Sequence, residues 1–419
     1  MISPTLFGLP AEKGRWLLIP LGIMIQLCLG TAYSWSIFSK PIAKSLDVNT
    51  LTGNLPFTIL LVTFSIVMPI AGFYIERFGT RSIIAVGAIV MGVGYTLSGF
   101  VKSIPLLVIT YGIIAGAGIG IVYGAPLAVM AKWFPDRKGL AVGATVIGFG
   151  LSPLITAPIA KELIRVNGAD GWQITFQYFG VTFALIMLLL APLMKMPPLG
   201  WQPHGWQPPV KLASNDLSQV PLLKNPAFYS LWLCFAIGSF AGLAAIGTAS
   251  PVGQDLVKLD SNLATWSVSL FAIFNGIGRP CFGWIVDRFT ARIAAIIAYV
   301  MILVGAIVMM NATQGSNISY LFAFSLIYFA FGGWLAIAPT ATLNLFKSQD
   351  YAKNYGIVFT AYGAGALLGT LSIGLLKDVF KSYIPFFYIT ATLAIVGIIL
   401  ANATLKPTIQ INPDRSLNE

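Results

Sequence analysis

Long apolar segments separated by short polar connections dominate the hydropathy pattern of the chain. A helix that crosses a lipid bilayer needs about 20 mostly apolar residues, and twelve segments of the sequence are suited to this. The pattern therefore predicts an all-α integral membrane protein with twelve transmembrane helices. The predicted spans are residues 15–39, 54–75, 82–101, 104–131, 139–164, 173–194, 226–252, 262–286, 291–312, 318–343, 354–376 and 383–405.

A long polar connection near residues 195–225 divides the spans into six plus six. It contains PPLGWQPHGWQPP, which is rich in proline and has no helical period, and such composition indicates a linker. We therefore predict a first six-helix bundle at residues 1–194, a cytoplasmic linker at 195–225 and a second six-helix bundle at 226–419.

The two halves repeat one motif, each time after the second span of the half. The motif reads GFYIERFGTR at residues 72–81 and GWIVDRFTAR at 283–292, with an offset of 211 residues. A glycine, an acidic residue and two arginines recur in place, so we predict that the loops latch the cytoplasmic side and favour one facing state. The residues of this predicted latch are Gly72, Glu76, Arg77, Arg81, Gly283, Asp287, Arg288 and Arg292.

Charge is scarce and unevenly distributed along the chain. Only 9% of the residues are charged, against about a quarter in ordinary globular domains. If the N-terminus lies inside, the inner connections and tails hold 16 of the 25 Lys and Arg residues and the outer ones hold 8. This asymmetry is a membrane topology signal. It predicts cytoplasmic termini and a lipid bilayer as the surroundings, and it argues against nucleic acid as the reason for the net charge of +11.

The remaining basic residue, Arg279, lies inside the apolar segment FNGIGRPCFGW at 274–284. All 14 acidic residues lie in connections, tails or span borders, so the sequence offers this charge no acidic partner inside the membrane. A charge at a helix centre costs about 3 kcal/mol on insertion scales. Since an arginine fork fits a carboxylate, we predict an anion site, with Asn275 one turn earlier on the same face. Two other interpretations remain open: Arg279 extends toward the cytoplasmic interface, or it caps carbonyls freed by Pro280.

Other chemistry is poorly supported by the sequence. No Cys, His and acid cluster has metal-ligand spacing, and no spanning segment offers a catalytic set. The glycine-rich stretch GAGIGIVYG at 116–124 lies in an apolar span with no strand before it, so it predicts close helix packing rather than dinucleotide binding. We therefore expect no metal, no cofactor and no enzymatic activity.

The loop at 72–81 resembles the signature G-x-x-x-D/E-R-x-G-x-R/K of the major facilitator superfamily. Further segments are similar to its oxalate/formate antiporter-like branch, which is related to the monocarboxylate (lactate/pyruvate) transporters. This resemblance covers the whole chain and implies the major facilitator fold, with two six-helix bundles about a pseudo-two-fold axis along the membrane normal. The similar segments are GTAYSWSIFSKP (30–41), GIGIVYGAP (118–126), KWFPDRKGLAVG (132–143), PPLGWQP (197–203) and NYG (354–356).

The resemblance also implies a set of site residues. Arg279 falls on the eighth-helix arginine that binds the substrate carboxylate in both related families. Tyr33 and Tyr123 match aromatic positions that line the cavity in the oxalate branch. Three more positions, at which that branch also carries aromatics, are Phe149, Phe331 and Phe359. For each aromatic residue, simple helix packing is an equal alternative.

Two departures from these families bear on the cargo. Tyr362 stands where the oxalate carrier has a second cation, a lysine, and a single cation favours a monoanion over a dianion. Asn275 stands where the animal monocarboxylate carriers have an aspartate that is thought to take the proton. Because an amide cannot titrate, proton coupling stays open beside anion exchange.

The sequence thus predicts a secondary active transporter of small monocarboxylate anions such as lactate, pyruvate or formate, working by alternating access. Arg279 would hold the carboxylate, with polar contacts from Asn275, Tyr33, Tyr123 and Tyr362. The alternatives are an oxalate:formate antiporter and, in a different class, a non-transporting membrane sensor. We expect a monomer in the cell (inner) membrane, with a small organic anion as its partner, and protons as well if transport is proton-coupled.

Overall fold

A computed structural model of the protein describes residues 5–198, 200–206, 221–346 and 351–405, with the side chains of Glu76, Lys138, Asn344, Tyr351 and Ala352 left out. The described residues include twelve helices that are long and apolar enough to cross a membrane. This confirms the prediction of an all-α protein with twelve spans. The only strands among the described residues are Thr5–Leu6 and Leu9–Pro10, which pair antiparallel.

The helices follow the predicted spans closely. They are α1 (Ala11–Ser45), α2 (Thr50–Ile75), α3 (Arg77–Ser98), α4 (Ile104–Trp133), α5 (Lys138–Val166), α6 (Gly168–Leu193), α7 (Pro226–Asp255), α8 (Ser261–Arg288), α9 (Ala291–Met310), α10 (Asn317–Leu345), α11 (Tyr351–Phe380) and α12 (Ile384–Thr404). We call the end of the molecule where α1 begins and α12 ends the terminal face, and the opposite end the distal face. The predicted bounds of the two bundles and the linker stay a prediction.

Helix α1 is irregular in its middle, where Gly30–Ser34 forms a 3-10 segment. Gly30 faces the backbone of Phe149 and the side chain of Ser152 on α5, and a Cβ atom there would collide with both. The Ser152 hydroxyl donates to the carbonyl of Leu27 at 2.6 Å, just before the irregular segment. Close contact between α1 and α5 thus buries Tyr33, which lies in the 3-10 segment.

Two pairs of helices make the most extensive contacts between the two six-helix bundles, and the first pair is α2 with α11. At the distal face the Asp378 carboxylate on α11 accepts hydrogen bonds from the backbone N–H groups of Thr50 and Leu51 at 3.1 and 2.9 Å. The second bundle thereby satisfies free donors at the start of a helix in the first bundle. Further in, the hydroxyls of Thr58 and Thr370 are 2.6 Å apart.

The second pair is α5 with α8, which are in contact from the distal face as far as Arg279. Near the distal face the Lys161 ammonium donates to Oδ1 of Asn262 at 2.6 Å. Further in, the Ser269 hydroxyl donates to the carbonyl of Pro153 at 3.3 Å, and the contact continues as far as Arg279. Toward the terminal face the contact stripes continue with Gly143 on α5 and Gly283 on α8. No heavy atom of the described residues outside their own helix and chain neighbours lies within 4 Å of where a Cβ atom of either glycine would stand.

A partly buried ion pair fixes the start of α1 at the terminal face. The Arg15 guanidinium donates to both carboxylate oxygens of Asp136, at 2.6 and 2.8 Å, and to the carbonyl of Trp133 at 3.0 Å. It also lies over the ring of Phe134 at 4.6 Å and that of Trp201 at 5.8 Å. Arg15 thus joins α1 to the α4–α5 connection and to the described start of the linker.

Candidate substrate site

Two charged side chains are buried among the described residues, and they differ in their partners. Arg15 at the terminal face is paired with Asp136. Arg279, on α8 between the bundles, is 4% exposed and takes part in no ion pair with any described residue. A charge buried without a counter-ion is costly, which makes Arg279 the natural centre of a candidate site.

Neutral oxygens from both bundles surround the Arg279 guanidinium. Its Nη1 donates to the carbonyl of Val146 on α5 at 2.6 Å, and its Nη2 to Oδ1 of Asn275 at 3.2 Å. The Asn275 amide in turn donates to the carbonyl of Tyr328 at 3.2 Å, while Nε of Arg279 is buried without a partner among the described residues. The side chain therefore crosses to α5 instead of extending toward the terminal face or capping a carbonyl near Pro280.

Two residues of α5 form the surface on which Arg279 rests. The Phe149 ring lies 6.0 Å below the guanidinium carbon, within range of a cation–π interaction. Gly150 packs so closely that a Cβ atom there would stand 2.7 Å from Oδ1 of Asn275 and 3.2 Å from Nε of Arg279. Only a glycine allows α5 and α8 to approach to this distance.

Tyrosine hydroxyls from both bundles converge on the same region. Tyr33 on α1 and Tyr362 on α11 share a hydrogen bond of 3.0 Å across the two bundles. The charge of Arg279 acts on these two hydroxyls and on that of Tyr123. Because a hydroxyl both donates and accepts, one proton of the Tyr33–Tyr362 pair stays available to a further acceptor.

The predicted phenylalanines complete the cluster. Phe149 contacts the rings of Tyr33 and Tyr123, with centroids 4.9 and 5.5 Å apart. Phe359 stacks on Tyr362 at 4.9 Å, and Phe331 lies 6.2 Å from Tyr362. All eight predicted residues thus form one connected, buried cluster from α1, α4, α5, α8, α10 and α11. Their role in substrate binding remains a prediction.

Three residues of the cluster were not found from the sequence. Phe64 on α2 contacts four of the eight predicted residues, yet a phenylalanine in an apolar span carries no signal. Val146 contributes only its carbonyl, which no side chain reveals. Of the three, only Gly150 has a weak signal in the sequence, since small residues are common where transmembrane helices are in close contact.

The predicted latch residues lie at the terminal face, and their described side chains form no ion pair. Gly79, the third residue of α3, has φ 76° and ψ 155°, a conformation open mainly to glycine, so the helical backbone is interrupted there. Arg77 lies over the Phe78 ring at 5.4 Å, and Asp287 and Arg288 are exposed. The Glu76 side chain lies outside the described part. A latch therefore stays a prediction for Gly72, Glu76, Arg77, Arg81, Gly283, Asp287, Arg288 and Arg292.

A comparison with known protein families identifies the family to which this architecture belongs. The sequence profile of the Major Facilitator Superfamily matches residues 22–257 and again 254–416. The chain belongs to the major facilitator superfamily. Its two six-helix bundles are the fold of this superfamily, as predicted. The protein is therefore a transporter and not an enzyme.

Several major facilitator proteins are similar over most of the chain. An oxalate:formate antiporter of Oxalobacter formigenes is 28% identical over 357 residues, covering 85% of this chain and 83% of the relative. YhjX of Escherichia coli (strain K12), an uncharacterised transporter, is also 28% identical, covering 85% and 87%. Monocarboxylate transporter 12 of Xenopus laevis is 24% identical, covering 83% and 79%.

A solved structure supports the major facilitator fold independently. A bacterial homolog to the human lysosomal transporter Spinster, in an inward-facing and unoccupied conformation, superimposes with a TM-score of 0.71. The match covers 96% of this chain and 99% of that one at 15% identity.

Proposed function

We propose that the protein is a secondary transporter of small monocarboxylate anions such as lactate, pyruvate or formate. The observation that carries the proposal is Arg279, a permanent cation buried between the bundles and bonded only to neutral oxygens. A carboxylate can accept two parallel hydrogen bonds from such a guanidinium. The anion would supply the counter-charge that no described side chain supplies.

The neighbouring groups define what else the site would bind. Asn275 would orient the guanidinium, because its Oδ1 accepts from Nη2. Tyr33 and Tyr362 would donate their spare proton to a second oxygen of the anion, and Tyr123 would contribute a further hydroxyl. With one cation and neutral hydroxyls, the cluster suits one negative charge better than two.

Transport would proceed by alternating access of the two bundles around this site. The proposed units are residues 1–194 and 226–419, joined by a linker at 195–225. The gap beside Gly143 and Gly283 would be the route between Arg279 and the terminal face. That face would be cytoplasmic in the cell (inner) membrane, since it carries the excess of basic residues. The latch loops at 72–81 and 283–292 would close it in the other facing state.

The coupling mode follows from the protonatable groups near Arg279. The described residues of the cluster include tyrosines and an asparagine but no carboxylate or histidine. A proton would therefore enter together with the substrate, or the protein would exchange one anion for another. In both modes, moving a monoanion transfers no net charge across the membrane. The protein would work as a monomer.

Oxalate:formate exchange is the second candidate, favoured by the similarity to the Oxalobacter formigenes antiporter. Its test is competition between anions. Tyr362 instead of a second cation should leave the dianion oxalate a weaker ligand than lactate, pyruvate or formate. Tighter binding of oxalate than of these monoanions would reverse the preference.

The decisive experiment removes the cation while leaving the fold in place. In purified protein, bound substrate should raise the melting temperature, and proteoliposomes should take up labelled lactate, pyruvate or formate. We expect Arg279→Ala to weaken binding about tenfold or more, since a hydrogen bond to a charged group is worth about 1.5–3 kcal/mol. Arg279→Lys should retain part of the binding, because it keeps the charge without the fork.

Arg165 provides a matched control, because it is exposed at the distal end of α5. Arg165→Ala should bind and transport like the parent. If Arg279→Ala and Arg279→Lys both move these monocarboxylates at the parent rate, Arg279 does not hold the carboxylate and the proposal is wrong.

A further inference from the structure

Phe64 on α2 lies at the centre of the aromatic cluster, although it was not among the predicted site residues. Its ring centroid is 5.1 Å from that of Tyr123 and 6.0 Å from that of Phe149 in the first bundle. In the second bundle it is 5.4 Å from Phe359 and 5.5 Å from Tyr362. Phe64 is 1% exposed, so its ring fills space that both bundles share.

The position of Phe64 relative to Arg279 gives the cluster a polar and an apolar end. Phe149 contacts both the guanidinium of Arg279 and the Phe64 ring, each at 6.0 Å from its ring centroid. A carboxylate bound to Arg279 would therefore direct the rest of its carbon chain along Phe149 toward Phe64 and Phe359. The space before the Phe64 ring would then set the length of that chain.

We propose that Phe64 is a specificity-determining residue that limits the size of the carboxylate. This rests on the proposed function, because Arg279 must hold the carboxyl end. The phenyl ring excludes longer or branched chains by occupying their place, whereas its contacts with two rings of each bundle hold it in one position. Removing the ring should admit bulkier monocarboxylates without changing how the carboxyl group is bound.

The test compares two 2-hydroxy acids that differ only in chain size, lactate and 2-hydroxy-4-methylpentanoate. Their dissociation constants are measured on the full-length parent, Phe64→Ala and Phe64→Leu. We expect the ratio of the constants, large acid over lactate, to fall about tenfold or more in Phe64→Ala. A smaller fall is expected in Phe64→Leu, which keeps most of the buried volume and guards against loss of folding.

Phe57→Ala is the matched control. Phe57 lies on the same helix, is equally buried and stacks on Trp35 at 5.8 Å, outside the eight predicted residues. Its removal costs the same volume and should leave the ratio unchanged. The inference is overturned if Phe64→Leu folds and binds lactate but discriminates against the large acid as strongly as the parent and Phe57→Ala do.

Failure of the proposed function would look different. In that case the parent would bind neither acid, or Arg279→Ala would bind both as well as the parent does. A third outcome would contradict only the proposed size limit. In that outcome the parent binds lactate and Arg279→Ala does not, but substitutions of Phe64 leave the ratio of the two dissociation constants unchanged.

Discussion

At the scale of single residues, Gly150 decides whether the arginine can sit where it does. A side chain at this position would reach Oδ1 of Asn275 and Nε of Arg279, and helix backbones do not move apart easily in a packed interior. We expect Gly150→Ala to displace the guanidinium and weaken carboxylate binding about tenfold. Calorimetric titration with lactate would measure the change.

Gly143, two turns earlier on the same stripe of α5, is the control for this change. No described heavy atom outside its own helix and chain neighbours lies near the place of its missing Cβ. Gly143→Ala should therefore bind lactate like the parent, and it should favour the helix slightly, since alanine is the better helix former by about 1 kcal/mol. Equal binding by both alanine variants would show that close approach at Gly150 is unimportant.

How far the sequence reveals such residues depends on what each contributes. Arg279 is visible because a charge in an apolar span is rare, and Asn275 because it lies one turn away. Phe64 and Val146 are invisible, since one is a common packing residue and the other acts through its backbone. Tyr33, Tyr123 and Tyr362 came from the family resemblance, and the apolar pattern alone would not distinguish them from packing residues.

At the scale of helices, the ion pair between Arg15 and Asp136 fastens the first helix to the loop before α5. The Arg15 guanidinium donates to the Asp136 carboxylate and lowers its pKa below the usual value. Asp136→Asn should cost about 1 kcal/mol, less than the about 1.5–3 kcal/mol of a hydrogen bond to a charged group, because the carboxylate is near solvent and partly screened. Thermal unfolding in detergent at neutral pH would measure it.

The pH dependence of this pair has a definite sign. A carboxyl whose pKa is lowered in the folded protein stabilises the fold above its unfolded pKa of about 3.9. The stabilisation disappears as the pH falls through the lowered value. The difference in melting temperature between the parent and Asp136→Asn should therefore be constant near neutrality and shrink only below about pH 4. A difference that vanishes at higher pH would contradict this assignment.

The helix ends show where sequence patterns lose resolution. Helix α1 begins at Ala11, four residues before the predicted span, because Lys13 and Arg15 read as polar flanks although they continue the helical chain. The repeated motifs also diverge: Gly79 interrupts the helical backbone near the start of α3 with a positive φ, whereas Thr290 at the corresponding position caps α9 by accepting a hydrogen bond from the backbone N–H of Ile293. A hydropathy pattern predicts the spans but not the exact residue at which a helix begins or the backbone conformation there.

At the scale of the whole molecule, the two pairs of helices between the bundles are closed to different extents. Helices α2 and α11 are in contact near the distal face, where Asp378 caps the start of α2 and Thr58 meets Thr370. Helices α5 and α8 are in contact from the distal side as far as Arg279 and bear open glycines beyond it. If the bundles rock around Arg279, the distal contacts must separate in every cycle.

A disulfide across α2 and α11 would test that motion. The hydroxyls of Thr58 and Thr370 are 2.6 Å apart, close enough for cysteines there to reach the Cβ separation of about 3.8 Å that a disulfide requires. With Cys28, Cys234 and Cys281 replaced by serine or alanine, we expect oxidised Thr58→Cys/Thr370→Cys to lose uptake and to regain it on reduction. Uptake by each variant that carries only one of the two cysteines should not change when oxidant is added. Uptake at the parent rate by fully cross-linked protein would contradict this motion. The distal ends of α2 and α11 would then stay together during transport, and the distal face would not open along these two helices.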